Sequence, residues 1–297
     1  MCNGSIMDKL ISFSLPLMVS GILQLAFNAV DIIVVGRFSG SQALAAVGST
    51  TALINVFTNL FIGISLGANV LAARFYAAGK DREMSETVHT SITLALISGI
   101  MMAVIGVLLA KWALEIMGTP DDVIGQSALY MRIYFMGMPF FMLYNYGAAI
   151  LRAIGDTKRP LIFLIISGIA NAALNMTLVI LFHMGVAGVA IGTIISQLIS
   201  CVLVLTCLYR SEGSYQLRFS KLKINGAYME QIFQVGVPAG IQSTVINFSN
   251  ALLQSSVNSF GATAMAGYTA ANNLLGFLYV SVNSVTQACM SFTSQNF

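Results

Sequence analysis

Apolar residues dominate eight long stretches of the chain, and short connections that hold most of the charged residues separate them. An α-helix needs about 20 mainly apolar residues to cross a bilayer, and every stretch is at least that long. A membrane β-barrel would instead alternate polar and apolar positions over about ten residues, and these stretches lack that alternation. The pattern therefore predicts an all-α polytopic membrane protein. The predicted spans are residues 10–35, 51–78, 90–114, 127–151, 160–182, 185–209, 228–260 and 263–297.

Composition supports a membrane location and narrows the possible partners. The hydrophobic fraction is 57% and the charged fraction 8%, against about 25% charged residues in ordinary soluble domains. A soluble fold could not bury so much apolar surface, so the lipid bilayer is the expected environment. The formal net charge of +3 is too small to indicate a nucleic-acid partner. The four cysteines show no metal-ligand spacing and are expected to behave as small apolar side chains.

The connections between spans alternate in charge. Eleven of the 14 Lys and Arg residues precede span 1 or lie at the ends of spans 2, 4 and 6 and in the connections that follow them. Cytoplasmic loops of membrane proteins carry an excess of these residues. The bias therefore predicts a cytoplasmic N-terminus, and we expect a bacterial cytoplasmic membrane as the location. The longest and most polar connection, residues 210–225, follows span 6 and is the natural linker between two halves.

The end of the chain resembles its own beginning. The segment GSQALAAVGSTTALINVF begins at Gly40 and the segment GATAMAGYTAANNLLGFL begins at Gly261, and an apolar helix with Pro16 or Pro238 precedes each. Internal repeats are common in membrane transporters. We therefore expect a complete six-helix lobe, a cytoplasmic linker, and the first two helices of a second, repeat-related lobe that is C-terminally truncated. These parts are residues 1–209, 210–227 and 228–297.

Six short motifs resemble one family of transporters, in the same order along the chain. They are FSLPLMVSGILQLAFNAVDIIVVGRFSGSQALAAVG in span 1 and its exit, ARFYAAGKD at the end of span 2, ILRAIGDTKRPL at the exit of span 4, NAALN in span 5, GVAGVAIGTIISQ in span 6 and SFTSQNF at the end. Together they resemble the multidrug and toxic compound extrusion (MATE) family, most closely its DinF-like branch. The resemblance implies twelve helices in two lobes around a central cavity. It also implies export of organic, often cationic, compounds in exchange for protons or sodium ions.

Asp31 is the one carboxylate well inside a predicted span. An ionised carboxylate at bilayer depth costs about 2.5 kcal/mol even on the lenient insertion scale, which makes Asp31 a candidate functional residue. With a helical rise of about 1.5 Å per residue, it lies ~8 Å below the outer end of span 1. The resemblance implies a role in cation or proton coupling. The alternative is an interfacial side chain that pairs with Arg37.

Three further polar residues fall in the same outer layer of the predicted bundle. Asn175 and Thr193 lie ~12 Å, and Asn171 ~18 Å, below the outer ends of their spans. Asn171 and Asn175 are four residues apart, so they share a helix face. With Asp31, their oxygens suit a hard cation such as Na⁺, and they suit a protonated carboxyl group equally well. The resemblance implies that all three surround the aspartate. Many relatives carry Asp at the position of Asn175, which leaves the ion open, and interhelical packing is the alternative role.

Other polar residues are predicted to line a substrate cavity. Two amides extend the polar face of span 1 inward from Asp31, and span 7 carries amides but no internal carboxylate. Helix packing is the alternative role for the pair in span 1. Pro16 removes a backbone hydrogen bond and is the candidate hinge of span 1. The predicted cavity residues are Gln24, Asn28, Asn247, Asn250 and Gln254.

The leading interpretation is a secondary active multidrug efflux transporter that exchanges organic compounds for H⁺ or Na⁺. A lipid-linked oligosaccharide flippase of the same broad fold is the alternative, but it would line its cavity with several basic residues, and the spans hold only Arg132 besides Arg74 and Lys111 near their ends. An intramembrane enzyme would need a HExxH, paired-Asp or Ser–His arrangement, and none is visible. We therefore expect a monomeric non-enzyme with no cofactor beyond the coupling ion. A fragment of this length is expected to be inactive by itself.

Overall fold

The computed structural model describes residues 6–258 and 262–296, apart from the side chains of residue 52 and of several positions between 248 and 274. The described chain is almost entirely helical, which confirms the all-α polytopic fold. A five-residue π-helix, Thr177–Leu181, follows α6, and a short 3₁₀ turn, Phe219–Lys221, lies in the linker. The α-helices of the described residues are α1 (Ile6–Phe38), α2 (Gly40–Ala77), α3 (Asp81–Ile116), α4 (Asp121–Met136), α5 (Met138–Ala153), α6 (Lys158–Met176), α7 (Gly185–Arg210), α8 (Gly226–Asn258) and α9 (Ala262–Asn296).

The fourth predicted span, residues 127–151, is not one continuous helix. α4 and α5 occupy it together and meet at Gly137. Pro139 falls at the start of α5, where its missing N–H removes no helical hydrogen bond. A Cβ atom on Gly137 would lie only 2.7 Å from Oε1 of Gln197. The glycine therefore lets α7 pack closely against the break.

Five of the described helices are long and apolar enough to cross a membrane: α1, α2, α3, α6 with its π-helical extension, and α7. α4 and α5 have 16 residues each, which is too few for either to cross alone. α8 and α9 have 33 and 35 residues, but amide and hydroxyl side chains lower their hydropathy. Eight spans were predicted, and five of the described helices meet the requirements of length and hydropathy.

Apolar side chains cover the outer surface of the bundle. On α3, Leu108 is 72% and Trp112 is 59% exposed. Large exposed apolar surfaces on a folded chain mark contact with a membrane or a partner. Because this surface follows a helix long enough to cross a bilayer, lipid contact explains it.

Glycines bring α2 and α8 into direct backbone contact. Gly63 and Gly67 are four residues apart on α2, and Gly236 and Gly240 are four residues apart on α8. A Cβ atom on Gly63 would collide with the backbone of Gly240, and one on Gly67 with the carbonyl oxygen of Ile232. Small residues at this spacing allow close helix crossings in membranes. We call these four glycines the glycine crossing; it joins the predicted second lobe to the first.

Buried polar contacts tie α9 to the first lobe near the end of the molecule where α2 ends. Asn69 of α2 donates from Nδ2 to the Ala149 carbonyl at 2.8 Å and accepts a hydrogen bond from Ser291 Oγ at 3.0 Å. Gln295 Nε2 donates to the carbonyl of Ala153 at 2.6 Å. Because these groups are shielded from water, each bond also avoids the cost of an unpaired buried polar atom.

Candidate functional site

Four of the predicted site residues meet between three helices. Asp31 comes from α1, Asn171 and Asn175 from α6, and Thr193 from α7. Asn175 Nδ2 donates to Asp31 Oδ1 at 2.5 Å and to Asn171 Oδ1 at 3.3 Å. We call these four residues the Asp31 cluster. The two hydrogen bonds place the carboxylate directly against the shared face of α6 that the i, i+4 spacing predicted.

Thr193 connects α7 to the same group. Asn171 Nδ2 lies 3.5 Å from Thr193 Oγ1, and that hydroxyl donates to the Val189 carbonyl of its own helix at 2.9 Å. A chain of polar contacts therefore runs from the Asp31 carboxylate through both amides to a hydroxyl. Asn175 is fully buried and Asn171 nearly so, while Asp31 is half-buried. The cluster is shielded on the side of α6 and more accessible on the side of α1.

Two glycines make room for these contacts. Gly168 of α6 receives the ring of Phe27, because a Cβ atom there would collide with that ring. Phe27 lies one turn from Asp31 on α1, so this packing brings the carboxylate to the level of Asn171. Gly192 of α7 receives the Asn175 amide in the same way. The π-helix Thr177–Leu181 begins two residues after Asn175, and such irregular turns often occur at functional sites.

The structure does not support the alternative in which Asp31 pairs with Arg37. Arg37 is exposed near the end of α1. The ion pairs among residues 6–258 and 262–296 are Arg82–Glu86, Lys111–Glu115 and Arg159–Asp156, and none involves Asp31 or Arg37. The partner of Asp31 is an amide from another helix. Its position is therefore set by packing within the bundle.

One oxygen in the cluster has unused bonding capacity. Asn175 Oδ1 is buried and has no hydrogen-bond partner, because the amide directs its nitrogen toward Asp31 and Asn171. Buried acceptors without partners are uncommon, and each calls for an explanation such as a water, an ion or a catalytic role. This oxygen lies against Gly192 of α7, whereas the nitrogen of the same amide faces Asp31. A cation site that includes it stays a prediction.

Three residues near the cluster were not predicted from the sequence. Tyr130 and Tyr134 of α4 lie close enough to Asp31 to interact with its charge. Their rings stack with centroids 6.2 Å apart, and Tyr134 lies next to Gln197 of α7. Tyr130 and Tyr134 are four residues apart, as are Thr193 and Gln197, and this spacing was the sequence signal that each pair shares a helix face. Which neighbouring helix that face contacts depends on how α4 packs, and the break at Gly137 determines this packing.

The predicted cavity residues belong to α1 and α8. Gln24 and Asn28 are exposed on α1, and Asn247 and Asn250 are exposed on α8. The Asn247 amide donates to the Ser243 carbonyl of its own helix at 2.9 Å. The side chain of Gln254 lies outside the described residues. The structure therefore leaves the four described amides accessible, and a shared substrate cavity stays a prediction.

Pro16 lies inside α1, which continues on both sides of it. The hydroxyl of Ser20 donates to the Pro16 carbonyl at 2.8 Å. Proline inside a helix removes one backbone donor and favours a bend, so the hinge role of Pro16 also stays a prediction.

A carboxylate held inside a helical membrane bundle by an amide from another helix is typical of proteins that move ions or solutes. The repeat-like ends of the chain are typical of the same class. Comparison with known proteins identifies the family. The MatE family model matches residues 16–177, more than half of the chain, and the chain belongs to this family.

Curated relatives carry related names. The chain is 32% identical over 293 residues to "Probable multidrug resistance protein YoeA" of Bacillus subtilis (strain 168), covering 96% of this chain and 63% of that protein. It is 25% identical to "Multidrug export protein MepA" of Staphylococcus haemolyticus (strain JCSC1435), covering 99% of this chain and 65% of that protein. The chain thus spans less than two thirds of the length of these relatives.

Solved structures show the same fold. One described as "Outward-facing conformation of a multidrug resistance MATE family transporter of the MOP superfamily" superposes with a TM-score of 0.89 at 21% identity. The match covers 97% of this chain and 64% of that chain. The helical arrangement is therefore that of the larger transporter over the part that this chain spans.

Proposed function

We propose that the protein that contains this chain is a secondary active multidrug efflux transporter. It exports organic, often cationic, compounds in exchange for H⁺ or Na⁺. The observation that carries the proposal is the Asp31 cluster, in which a half-buried carboxylate meets a buried amide whose oxygen has no partner. Membership of the MatE family and the names of the relatives support the multidrug part.

The transport cycle requires Asp31 to change its charge state. When the carboxylate binds a proton or a cation, the cost of holding its negative charge at bilayer depth is removed. Moving one charge through 100 mV is worth about 2.3 kcal/mol, and this free energy can drive export. Asn175 and Asn171 keep the carboxylate in place, and Thr193 adds an acceptor. For Na⁺, the ligands would be Asp31, Asn171, Asn175 and Thr193.

The substrate is proposed to enter between the two lobes. Gln24 and Asn28 on α1 and Asn247 and Asn250 on α8 are exposed amides that could bind an organic cation by hydrogen bonds and dipoles. Transporters with repeated lobes expose such a site to each side in turn by moving one lobe against the other. Pro16 lies in the helix that carries Asp31, so a bend there would couple the carboxylate to the cavity.

We propose that the end of the molecule with Arg74, Lys80 and Lys223 faces the cytoplasm, because basic loops stay on that side. The N-terminus then lies in the cytoplasm of a bacterial cell, and the Asp31 cluster lies toward the outside. Labelling of single cysteines at Ser85 and Ser214, in a background without the native cysteines, tests this orientation. Labelling of either from outside intact cells would contradict it.

Asp31→Asn tests the function. The protein expressed from its native gene is reconstituted in vesicles, and efflux of ethidium is driven by a pH gradient or by a Na⁺ gradient in separate runs. Asparagine keeps the size and the hydrogen bonding but cannot carry a proton or balance a cation, so we expect ion-driven efflux to be lost. Near-normal efflux from a folded Asp31→Asn protein would overturn the proposed mechanism. The gradient that drives the unaltered protein identifies the ion.

A further inference from the structure

A cavity of about 960 Å³ lies at the basic end of the molecule, and none of its lining residues belongs to the Asp31 cluster. One wall is the first part of α3, between residues 82 and 90, and the other is the end of the linker, residues 220–226. The proposed transport mechanism uses neither wall. Residue 90 is where the third predicted span begins, so the cavity opens at the membrane boundary.

Hydrogen bonds fix the linker against α3. Asn225 donates from its backbone N–H to Thr90 Oγ1 at 3.2 Å and from Nδ2 to Glu86 Oε2 at 2.8 Å. The backbone N–H of Arg218 donates to His89 Nε2 at 3.1 Å, and His89 Nδ1 contacts the Ser85 carbonyl at 2.6 Å. His89 and Thr90 are buried. These hydrogen bonds therefore fix the two walls of the cavity relative to each other.

The cavity carries excess positive charge. Arg82 pairs with Glu86 at 3.0 Å, and this contact, helped by Asn225, keeps the pKa of Glu86 below its ordinary value. The carboxylate therefore stays ionised and balances Arg82. Lys221 and Lys223 also line the cavity, and neither forms an ion pair with another residue that the structure describes. Lys223 also interacts with the charge of Glu86, and the three basic side chains of the lining still exceed its one carboxylate by two charges.

The other lining groups narrow the kind of anion. Ser85 and Ser220 supply hydroxyl groups, and Leu222 and Ile224 supply apolar surface in the same cavity. Phosphate oxygens accept strong charge-assisted hydrogen bonds from lysine and hydroxyl donors. Basic pockets at the cytoplasmic ends of membrane helices suit anionic headgroups. An organic cation, the proposed substrate, would be repelled here.

We propose that this cavity binds a phosphate-bearing anion between α3 and the linker. The two lysines bind the phosphate, and the apolar side chains contact the group to which it is esterified. An anion bound here would hold the linker to the first lobe, because it would contact both walls. The proposal does not depend on the transport activity.

Lipid and soluble phosphate can be distinguished by reconstitution. The protein expressed from its native gene is placed in nanodiscs of phosphatidylcholine alone, or with phosphatidylglycerol, and soluble glycerol phosphate is titrated into the first kind. Melting temperature and native mass spectrometry report binding. We expect saturable binding of one anion per protein, and we expect Lys221→Gln with Lys223→Gln to weaken it about 30-fold. The control pair is Lys9→Gln with Lys158→Gln, which removes the same charge away from the cavity.

Each outcome decides the proposal. Lysine-dependent stabilisation by phosphatidylglycerol alone supports it with a lipid headgroup as the ligand, and the same effect from glycerol phosphate supports it with a soluble phosphate. No saturable binding of either anion would overturn it. Equal weakening in the cavity pair and the control pair would also overturn it, since diffuse surface charge would then explain the binding. Melting in phosphatidylcholine alone checks that both double variants fold.

Discussion

The Asp31 cluster and the glycine crossing both hold helices together, but by opposite means. In the cluster, three helices meet through hydrogen bonds between polar side chains. At the crossing, α2 and α8 meet where side chains are absent, so their backbones touch. The cluster depends on chemical identity, and the crossing depends on volume. Changes of the same size should therefore affect transport in one region and folding in the other.

The difference also concerns what each region can do. Asp31 is a titratable group, and the oxygen of the amide that binds it has no partner, so the proposed function gives the cluster the task of responding to an ion. The glycines have no titratable group and no side chain. Their contribution is steric, and it keeps the two predicted lobes in contact near the basic end. A transporter with two lobes needs a site whose charge can change and a contact that keeps the lobes together.

The largest loss of stability is expected from Gly67→Ala. The new Cβ would collide with the Ile232 carbonyl oxygen, and a backbone atom cannot rotate away. Overpacking of this kind costs about 1–3 kcal/mol. Gly48→Ala is the matched control on the same helix, because nothing lies within 4 Å of its Cβ position. Thermal melting in detergent checks both, and equal melting temperatures would show that the crossing tolerates a methyl group.

Asn175→Leu should affect transport more than any other change in the cluster except Asp31→Asn. Leucine is similar in size but removes both donated hydrogen bonds, so Asp31 loses its partner. We expect ion-driven ethidium efflux to fall about tenfold, the effect of about 1.4 kcal/mol on the coupled step. Asn145→Leu is the control, since Asn145 bonds only to the Phe141 carbonyl of its own helix among the described contacts. Equal losses in the two variants would indicate a general packing effect.

A smaller effect is expected from Thr193→Ala. The change removes one acceptor at 3.5 Å from Asn171 Nδ2 and leaves the bond between Asn175 and Asp31 intact. We expect efflux to fall a few-fold, because a neutral hydrogen bond contributes about 1 kcal/mol. Efflux rates over a range of Na⁺ concentrations and pH values show which ion the hydroxyl helps to bind. A complete loss would mean that Thr193 is a required ligand.

The smallest effect is expected from Arg37→Ala. Arg37 is exposed and makes no ion pair with Asp31. Efflux and melting temperature should therefore match those of the unaltered protein. If Arg37→Ala and Asp31→Asn caused similar, mild losses, Asp31 would be an interfacial partner of Arg37, and the cluster would have no special role.

Much of the candidate site could be anticipated from local sequence. Asp31 is conspicuous because carboxylates are costly in apolar spans, and Asn171 and Asn175 share a helix face by spacing alone. Depth from the span ends put them in one layer with Thr193. Their functional role, however, stays a prediction. Tyr134 and Gln197 were missed because the sequence does not show which neighbouring helix a polar side chain contacts.

The break at Gly137 was missed for a related reason. The run of residues 127–151 is mainly apolar, and hydropathy does not distinguish one helix from two. The local preference of proline for a helix start, here Pro139, agrees with the break. Because Gly137 has no side chain, α7 can pack closely beside the start of α5. This contact involves residues about 60 positions apart.

The sequence by itself determined the membrane class, the helical secondary structure, the charge bias of the connections and the candidate carboxylate. These properties depend on the transfer of side chains between water and lipid and on spacing within one helix, which are local quantities. Only the tertiary structure decided that Asn175 is the partner of Asp31, that α2 and α8 cross at four glycines, and that the linker encloses a basic cavity against α3. These depend on how each helix is rotated and where it meets its neighbours, which is set by close packing among residues distant in the chain.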